Sequence, residues 1–215
     1  MGRLNLTINA SSEQDVLLSF DRIANDLFNK FILNINGFKY FFTEIEFYYN
    51  SSKHPDDTTH QHNVPEGFWR AHNSGIDIAL NDNNGSYGGI LVRGIRTFEG
   101  SPPEYINGPR KVVCHLFKHF NDIYSQSSLI LEPNPNPDQS RGRIFNIPRQ
   151  GLSDKKKYYK NPYRFVVELK NCVDIPEREI SISGYLLSNN LCSEDEIKDI
   201  FNRKTISEWM RVSKF

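Results

Sequence analysis

The chain has 215 residues, of which 38% are hydrophobic, 13% aromatic and 24% charged, a composition typical of a globular protein with a surplus of aromatic side chains. Lysine plus arginine and aspartate plus glutamate both number 26, so no net charge attracts the chain to nucleic acid or to a membrane. A nucleic-acid binder of this composition would need a local basic patch, and the lack of an apolar run of about 18 residues excludes a transmembrane helix.

The cysteines and the N-terminal residues indicate in which cellular compartment the protein is expected. Cys114, Cys172 and Cys192 are odd in number and scattered, which suits reduced thiols better than a disulfide framework. The first residues, MGRLNLTINASSEQ, lack the apolar core of a signal peptide. We therefore expect a cytoplasmic, monomeric protein without a membrane partner.

The first predicted elements are a helix and a hairpin. Ser11 and Gln14 form a plausible capping box for a helix over about 12–29, in which apolar residues recur at helical spacing. The stretch KFILNINGFKYFFTEIEFYYN then predicts two strands with Asn36-Gly37 as their turn. A polar loop with prolines and histidines follows over about 50–67.

The rest of the chain adds short strands and helices. Strands are predicted around 75–80 and 87–97, with NDNNGSYGG as the turn between them. GPRKVVCHLFKHFN opens like a helix, EPNPNPD is a rigid loop, and YRFVVELK is another strand. The segment SEDEIKDIFNRKTISEWMRVSKF reads as a helical end with Ile197, Ile200 and Phe201 facing inward. Many strands with few helices, and no repeat or long linker, predict a single α+β domain.

The stretch FTEIEFYYN, residues 42–50, sets two carboxylates among aromatic side chains. Simple strand alternation would put Glu44, Glu46 and Tyr48 on one face, together with Tyr40 and Phe42. An ionised carboxylate among rings is costly unless a partner holds it. Arg93, inside the apolar run ILVRGI, likewise requires a buried acidic partner.

The order of these motifs resembles the alkyladenine (3-methylpurine) DNA glycosylases over about residues 12–170. RIANDLFNKFIL and TEIEFY stand where that family has LA..LLG and VETEAY. SGIDIAL and ILVRGIRTFEG match its GxLYV-like strand and its LLRA..P..G strand. GPRK, IPRQGLS and YYKNPYRFVV match its GPxKL, PRVG and W..kPLRFYV motifs. The resemblance implies a curved, mostly antiparallel sheet with flanking helices, and it leaves 171–215 as an added C-terminal segment.

The resemblance also implies a set of site residues. Glu46 matches the carboxylate that deprotonates a water attacking the sugar C1′. Arg93 matches the arginine that shares this water, and the carbonyl of Gln150 matches the backbone oxygen that also holds it. Tyr48 matches a ring that stacks on the flipped base, and His60 or His62 matches the histidine opposite it. A base must be flipped because its glycosidic bond cannot be reached inside a stack.

The sequence departs from the family at the DNA-binding hairpin. The interval from Gly75 to Arg93 is shorter than in the family, Leu80 stands where the second stacking tyrosine is expected, and Tyr87 is the ring available as a wedge. A local basic cluster is the candidate phosphate-contacting rim. Its residues are Arg141, Arg143, Arg149, Lys155, Lys156, Lys157 and Lys160.

Other interpretations of these residues stay open. Glu44 is interpreted as structural and paired with an arginine, Tyr48 could be packing, and the basic cluster could be a solvated loop. The donors of HPDDTTHQH could hold a metal, although the family resemblance implies neither metal nor organic cofactor. The predicted function is release of a modified purine from DNA. The alternatives are a non-catalytic modified-base or nucleic-acid binder and a hydrolase of small nucleosides.

Overall fold

The structure is a computed structural model that describes residues 2–81, 85–139, 141–172 and 176–201. The middle of the predicted NDNNGSYGG turn and the end of the predicted C-terminal helical segment, from 202 onward, lie outside the described residues. Five helices are assigned in the described part of the chain. They are α1 (Glu13–Asn29), α2 (Pro109–Phe117), α3 (Leu169–Cys172), α4 (Pro176–Ser188) and α5 (Glu194–Phe201).

Nine strands in the same residues form one sheet, in which every pair of neighbours is antiparallel. The strands are β1 (Phe31–Ile35), β2 (Phe38–Asn50), β3 (Trp69–His72), β4 (Gly75–Asn81), β5 (Tyr87–Thr97), β6 (Tyr105–Asn107), β7 (Leu129–Pro133), β8 (Phe145–Ile147) and β9 (Arg164–Val166). The predicted α+β class is confirmed.

The sheet curls so that its two ends approach each other. Its main path runs β3-β4-β5-β2-β1-β7, with β6 added to β5, and with β9 and then β8 added to β2. The indole Nε1 of Trp69 on one end strand donates to the carbonyl of Leu129 on the other at 2.8 Å. The result is a half-barrel with an inner core and an outer face.

Local sequence explains the first elements. α1 begins after Ser12, whose hydroxyl accepts a hydrogen bond from the N–H of Asp15 at 3.1 Å. The predicted capping box of Ser11 and Gln14 is therefore wrong by one residue. The predicted hairpin turn is confirmed, because Asn36 and Gly37 both have positive φ, 49° and 95°, as a type I′ turn requires.

Two bulges invert the alternation of β2 and β5. Thr43 has no opposite residue between the pairs Phe42–Ile95 and Glu44–Gly94, and Arg93 has none before the pair Ile45–Val92. An extra residue in a strand moves the following side chains to the other face. Tyr40 and Phe42 consequently lie in the inner core, while the two glutamates point outward. The prediction that these aromatics share a face with the glutamates is wrong.

Helices cover the two faces unequally. α1 and α2 pack on the inner face, through residues such as Phe20, Leu27 and Val112. α3, α4 and α5 build a second apolar cluster with Phe145 and Val166, and because Val166 pairs with Glu44, this cluster lies on the outer face. The glutamate face is thus bordered by the C-terminal helices on one side.

The C-terminal helical prediction holds within the described residues. Ile197 and Phe201 are buried and Ile200 packs against the same cluster. No helix among the described residues has both the length and the apolar character needed to cross a bilayer.

Candidate active site

Glu44 and Glu46 are both buried on the outer face of β2, with 2% and 0% of their surface exposed. The double bulge places Arg93 beside them, because Arg93 is the unpaired residue of β5 at that point. β9 pairs with β2 at the same place, so that Arg164 lies opposite Glu46. The sheet irregularity therefore gathers two acids and two guanidinium groups in one buried cluster.

Glu44 holds the cluster together. Its Oε1 accepts a hydrogen bond from Nε of Arg93 and another, at 2.7 Å, from Nε of Arg164. Burial alone would raise the pKa of Glu44, but the charges of Arg164 and Arg93 outweigh burial and hold the pKa below its ordinary value. The predicted pairing of Glu44 with an arginine is confirmed, and its structural role stays a prediction.

Glu46 accepts donors on both carboxylate oxygens. The hydroxyl of Tyr48 donates to Oε2 at 2.7 Å, and Nη1 of Arg93 lies 3.3 Å from the same oxygen. The backbone N–H of Gln150 donates to Oε1 at 3.1 Å. Since each carboxylate oxygen has two lone pairs, Oε1 retains capacity for one further donor such as a water.

Arg93 connects the predicted catalytic residues. Its Nη2 donates to the side-chain Oε1 of Gln150 at 3.0 Å, while its other nitrogens face Glu44 and Glu46. Burial would lower the pKa of Arg93, but the two carboxylates raise it above its ordinary value, so the guanidinium stays charged. Glu46, Arg93 and Gln150 thus meet in space, although Gln150 contacts Glu46 by its N–H; the role of its carbonyl stays a prediction.

Tyr48 is half-buried at the edge of this cluster. The guanidinium of Arg149 lies 4.6 Å from its ring centroid, and Arg149 is held by a fully buried ion pair with Asp56 at 2.7 Å. Burial first, and then the charge of Glu46, raise the pKa of Tyr48 well above its usual value. The phenol therefore remains a hydrogen-bond donor, with Arg149 stacked on one ring face.

The strands beside Tyr48 carry small residues. In the sheet register, Tyr48 pairs with Gly89, which pairs with Ala79. Leu80, predicted to bind the base, is instead 1% exposed and belongs to the inner core, because residues of β4 alternate and the odd-numbered ones face the site. That prediction is wrong, and the β4 residue in register with Tyr48, across Gly89 of β5, is Ala79.

The two candidate histidines differ in placement. Nε2 of His62 donates to the carbonyl of Gly88 at 2.7 Å, next to the residue that pairs with Tyr48, and the ring is half-buried. His60 is exposed. Tyr87 begins β5 on the face of Gly89 and is half-buried. Of the two histidines, His62 is therefore the one fixed beside the predicted base site.

The predicted basic rim is largely neutralised. Arg149 and Arg141 are buried, and Arg141 donates to Glu168 at 2.8 Å and to the carbonyl of Phe42 at 2.7 Å. Their assignment as DNA-contacting residues is wrong, because buried guanidinium groups held by carboxylates cannot reach a phosphate.

The other basic side chains of the rim lie at the surface. Arg143, Lys156 and Lys157 approach acidic partners at 3.7, 3.2 and 3.0 Å, whereas Lys155 is exposed and makes no ion pair in the described residues. Lys160 is exposed beside the ring of Tyr159.

The histidine-rich loop is held by protein partners. The buried ring of His54 bonds the carbonyl of Tyr49 at 2.8 Å and the hydroxyl of Tyr163 at 2.7 Å, and Asp56 binds Arg149. Within the described residues, no group of three or more histidine, cysteine, aspartate or glutamate side chains converges as metal ligands would. These donors fasten the loop to the sheet.

Two groups near the site were not predicted from sequence. Arg164 was visible only as part of the motif YRFVV, and its pairing with Glu44 needs the β2–β9 register. Asp77, paired in register with Leu91 next to Glu46, binds Arg70 at 2.6 Å and His72 at 2.8 Å. Arg70, His72 and Asp77 lie close together in the sequence on the hairpin of β3 and β4, and this spacing is the sequence signal for their ion-pair cluster.

Comparison with known proteins shows a relative of this chain whose name states no activity. No protein-family model matches the sequence. The chain is 30% identical, over 189 residues, to a protein of Acanthamoeba polyphaga mimivirus named "Uncharacterized protein L759"; the match covers 69% of this chain and 85% of that protein. The chain therefore belongs to the same protein family as uncharacterized protein L759.

Proposed function

We propose that the chain is a DNA N-glycosylase that releases a modified, alkylated purine by attack of water on the sugar C1′, as in cytoplasmic base-excision repair. The observation that carries this proposal is the arrangement of Glu46. The carboxylate is buried, faces Arg93, Tyr48 and Gln150, and keeps an accepting position on Oε1.

The chemistry needs a base that stays ionised. Arg93, kept charged by its two carboxylates, places a cation 3.3 Å from Oε2 of Glu46. A water donating to Oε1 gives its proton to Glu46 as its oxygen bonds to C1′, and the electron pair of the broken C1′–N bond leaves with the base. For a cationic alkylated purine this pair neutralises the ring, so the base departs without needing a proton.

The base would lie beside Tyr48. One ring face of Tyr48 is covered by Arg149, and the register positions beside it, Gly89 and Ala79, are small residues, with the carboxylate of Asp77 packed over Gly89. Stacking on an aromatic ring contributes about 1–3 kcal/mol per base and favours a cationic ring further. His62 would bound this space from the loop side.

A hydrolase of small nucleosides is the second candidate, and the ion pairing of the basic rim favours it. Arg141 and Arg149 are buried, and Arg143, Lys156 and Lys157 face acids. A nucleoside needs no phosphate-binding face. A non-catalytic binder of modified bases would keep the same pocket without using the reactivity of Glu46.

Incubation with alkylated DNA, followed by mass spectrometry of the released bases, tests the proposal. We expect free alkylated purines and abasic DNA. Release from free nucleosides with none from DNA would support the small-molecule hydrolase, and tight binding without any release would support the binder.

A further inference from the structure

A cavity of about 310 Å³ lies between the loop that follows β8, the start of β9 and helix α4. The loop turns at Gly151, where φ is 73°. The residues that matter for its chemistry are Gln150, Gly151, Arg164, Ser181, Ile182 and Tyr185.

This cavity adjoins the candidate active site, because two of its lining residues also bind the buried cluster. Gln150 contacts Glu46 through its N–H and Arg93 through its side chain, at 3.1 and 3.0 Å. Arg164, 2% exposed, donates to Glu44 at 2.7 Å. A group in the cavity would therefore lie one side chain away from Glu46.

Helix α4 forms one wall of this cavity. Ile182 and Leu186 anchor it in the second apolar cluster, with 4% and 0% of their surface exposed. Ser181 and Tyr185 are four residues apart, so they lie one above the other on one side of the helix. This helix belongs to the C-terminal segment outside the family resemblance.

The lining suits a planar ring with polar edges. Tyr185, half-buried, and Ile182 provide apolar contact, while the Gln150 amide and the Ser181 hydroxyl provide donors and acceptors. Both arginines that line the cavity are paired with carboxylates, Arg164 with Glu44 and Arg149 with Asp56, so neither offers an unpaired charge to an anion. Its volume is at the lower end of the roughly 300–1,000 Å³ of small-ligand pockets, which suits one nucleobase.

We propose that this cavity binds the nucleobase next to the released one on the same strand, with Tyr185 stacking on it. The proposal rests on the proposed glycosylase function, since a nucleic acid presents a second base tethered one nucleotide from the reacting sugar. The shortened hairpin offers only Tyr87 for stacking, which is less than the hairpin of typical alkyladenine glycosylases offers. Tyr185 would supply additional stacking in its place.

A double-mutant cycle between Tyr185 and the flanking base tests this directly. Two single-stranded oligonucleotides serve as probes, each with a tetrahydrofuran abasic analogue at its centre. In one probe the two nucleotides that flank the analogue carry bases, and in the other they are abasic as well. Dissociation constants are measured by fluorescence anisotropy at low salt. We expect Tyr185→Ala to weaken binding roughly 5- to 150-fold when the flanking bases are present and little when they are absent, with Tyr185→Phe near wild type.

A second pair of variants avoids any effect on the apolar cluster. Ser181 is exposed at the cavity rim, so Ser181→Trp should fill the opening and strongly weaken binding of the base-flanked probe, while Ser181→Ala, which removes only the hydroxyl, should weaken it far less. An equal loss for Tyr185→Ala with and without flanking bases, or wild-type binding by Ser181→Trp, would overturn the proposal. If the cavity proposal fails in this way but the wild type still releases bases, the proposed glycosylase function is unaffected. If the wild type neither releases bases nor binds the probe, both the cavity proposal and the glycosylase function are overturned.

Discussion

Tyr48 makes two different contacts, one through its hydroxyl and one through its ring. The hydroxyl donates to Glu46 at 2.7 Å, and the ring packs against the guanidinium of Arg149. Sequence resemblance predicts only a stacking ring at this position. The structure adds a hydrogen bond that holds the proposed catalytic carboxylate in place, so we expect Tyr48 to act as a positioning residue as well.

Tyr48→Phe separates these contacts, since it keeps the ring and removes the donor. A hydrogen bond to a charged group is worth about 1.5–3 kcal/mol, so we expect base release to fall roughly 10- to 100-fold. Tyr87→Phe, which also removes a phenol hydroxyl on the same face, should leave base release unchanged. Base release by Tyr48→Phe at the wild-type rate would contradict the positioning role.

Glu44→Gln tests the buried ion cluster. The change leaves Arg93 and Arg164 adjacent without their shared carboxylate, which should cost about 3–5 kcal/mol of the free energy of unfolding. Urea denaturation measures this value, and Glu99→Gln, at an exposed position, is the matched control. If Glu44→Gln lowers the free energy of unfolding no more than Glu99→Gln does, the stabilising role assigned to the buried ion cluster is contradicted.

The same carboxylate gives a pH dependence. Because the pKa of Glu44 is lowered in the folded protein from an ordinary value of 4.5, its contribution to stability is present above that pH. This contribution to the free energy of unfolding is lost as the pH falls through the pKa of Glu44 in the folded protein. The wild type should therefore lose stability below about pH 4.5 more steeply than Glu44→Gln does.

At the level of elements, the paired bulges of β2 and β5 create the site. They turn Glu44 and Glu46 away from the inner core and leave Arg93 unpaired between them. Gly94 makes this geometry possible, because a Cβ at that position would lie 2.6 Å from the Oγ1 of Thr43 and 3.1 Å from the Cβ of Glu44.

Gly94→Ala should therefore disturb the site through the backbone. Overpacking at a buried position costs about 1–3 kcal/mol, and the displaced bulge should also lower base release. Gly184→Ala, in α4, is the control, because nothing lies within 4 Å of its added Cβ and alanine favours a helix by about 1 kcal/mol. Equal thermal stability of the two variants would contradict this account of the bulge.

Sequence predicts the strongly periodic elements well and the irregular ones poorly. α1, the hairpin at Asn36-Gly37, and the strands at 75–81 and 87–97 follow from periodicity and turn chemistry. Strand alternation fails at Thr43, because a bulge is set by the partner strand. The short strands β3, β6 and β8, with three or four residues each, carry too little pattern, and α4 is obscured by its serines and glycine.

In the candidate site, too, some residues could be predicted from the sequence and others could not. Glu46, Arg93 and Gln150 could be found from motifs, and they meet in the structure. Leu80, Arg141 and Arg149 were misassigned, because the face of a residue and the burial of an arginine depend on long-range pairing. Arg164 and Asp77 became recognisable only through the sheet register.

At the scale of the whole molecule, charge is balanced both in total and locally. The net charge is zero, and most arginines near the site are paired with acids. Contacts to a phosphate backbone would then be few and sensitive to salt. A protein of this kind is better suited to a base that is already unpaired than to one that must be extracted from a stable duplex.

We therefore expect release from single-stranded or mismatched alkylated DNA to equal or exceed release from a perfect duplex. Flipping a paired base costs a few kcal/mol, and a loss of about 1.4 kcal/mol in that equilibrium lowers the reactive population about tenfold. The comparison belongs at low salt, where weak phosphate contacts are not screened. A strong preference for duplex would mean that another residue acts as a wedge, and Tyr87→Ala would then show whether it is Tyr87.

Glu46 as general base is the central claim, and single-turnover release of bases from alkylated single-stranded DNA tests it most directly. Glu46→Gln keeps the shape and hydrogen bonding of the side chain but removes the base, so release should fall by about 10²–10⁴-fold. Glu99→Gln controls for the loss of one negative charge at an exposed position and should release bases at the wild-type rate. Release by Glu46→Gln within a few-fold of the wild type would contradict the account.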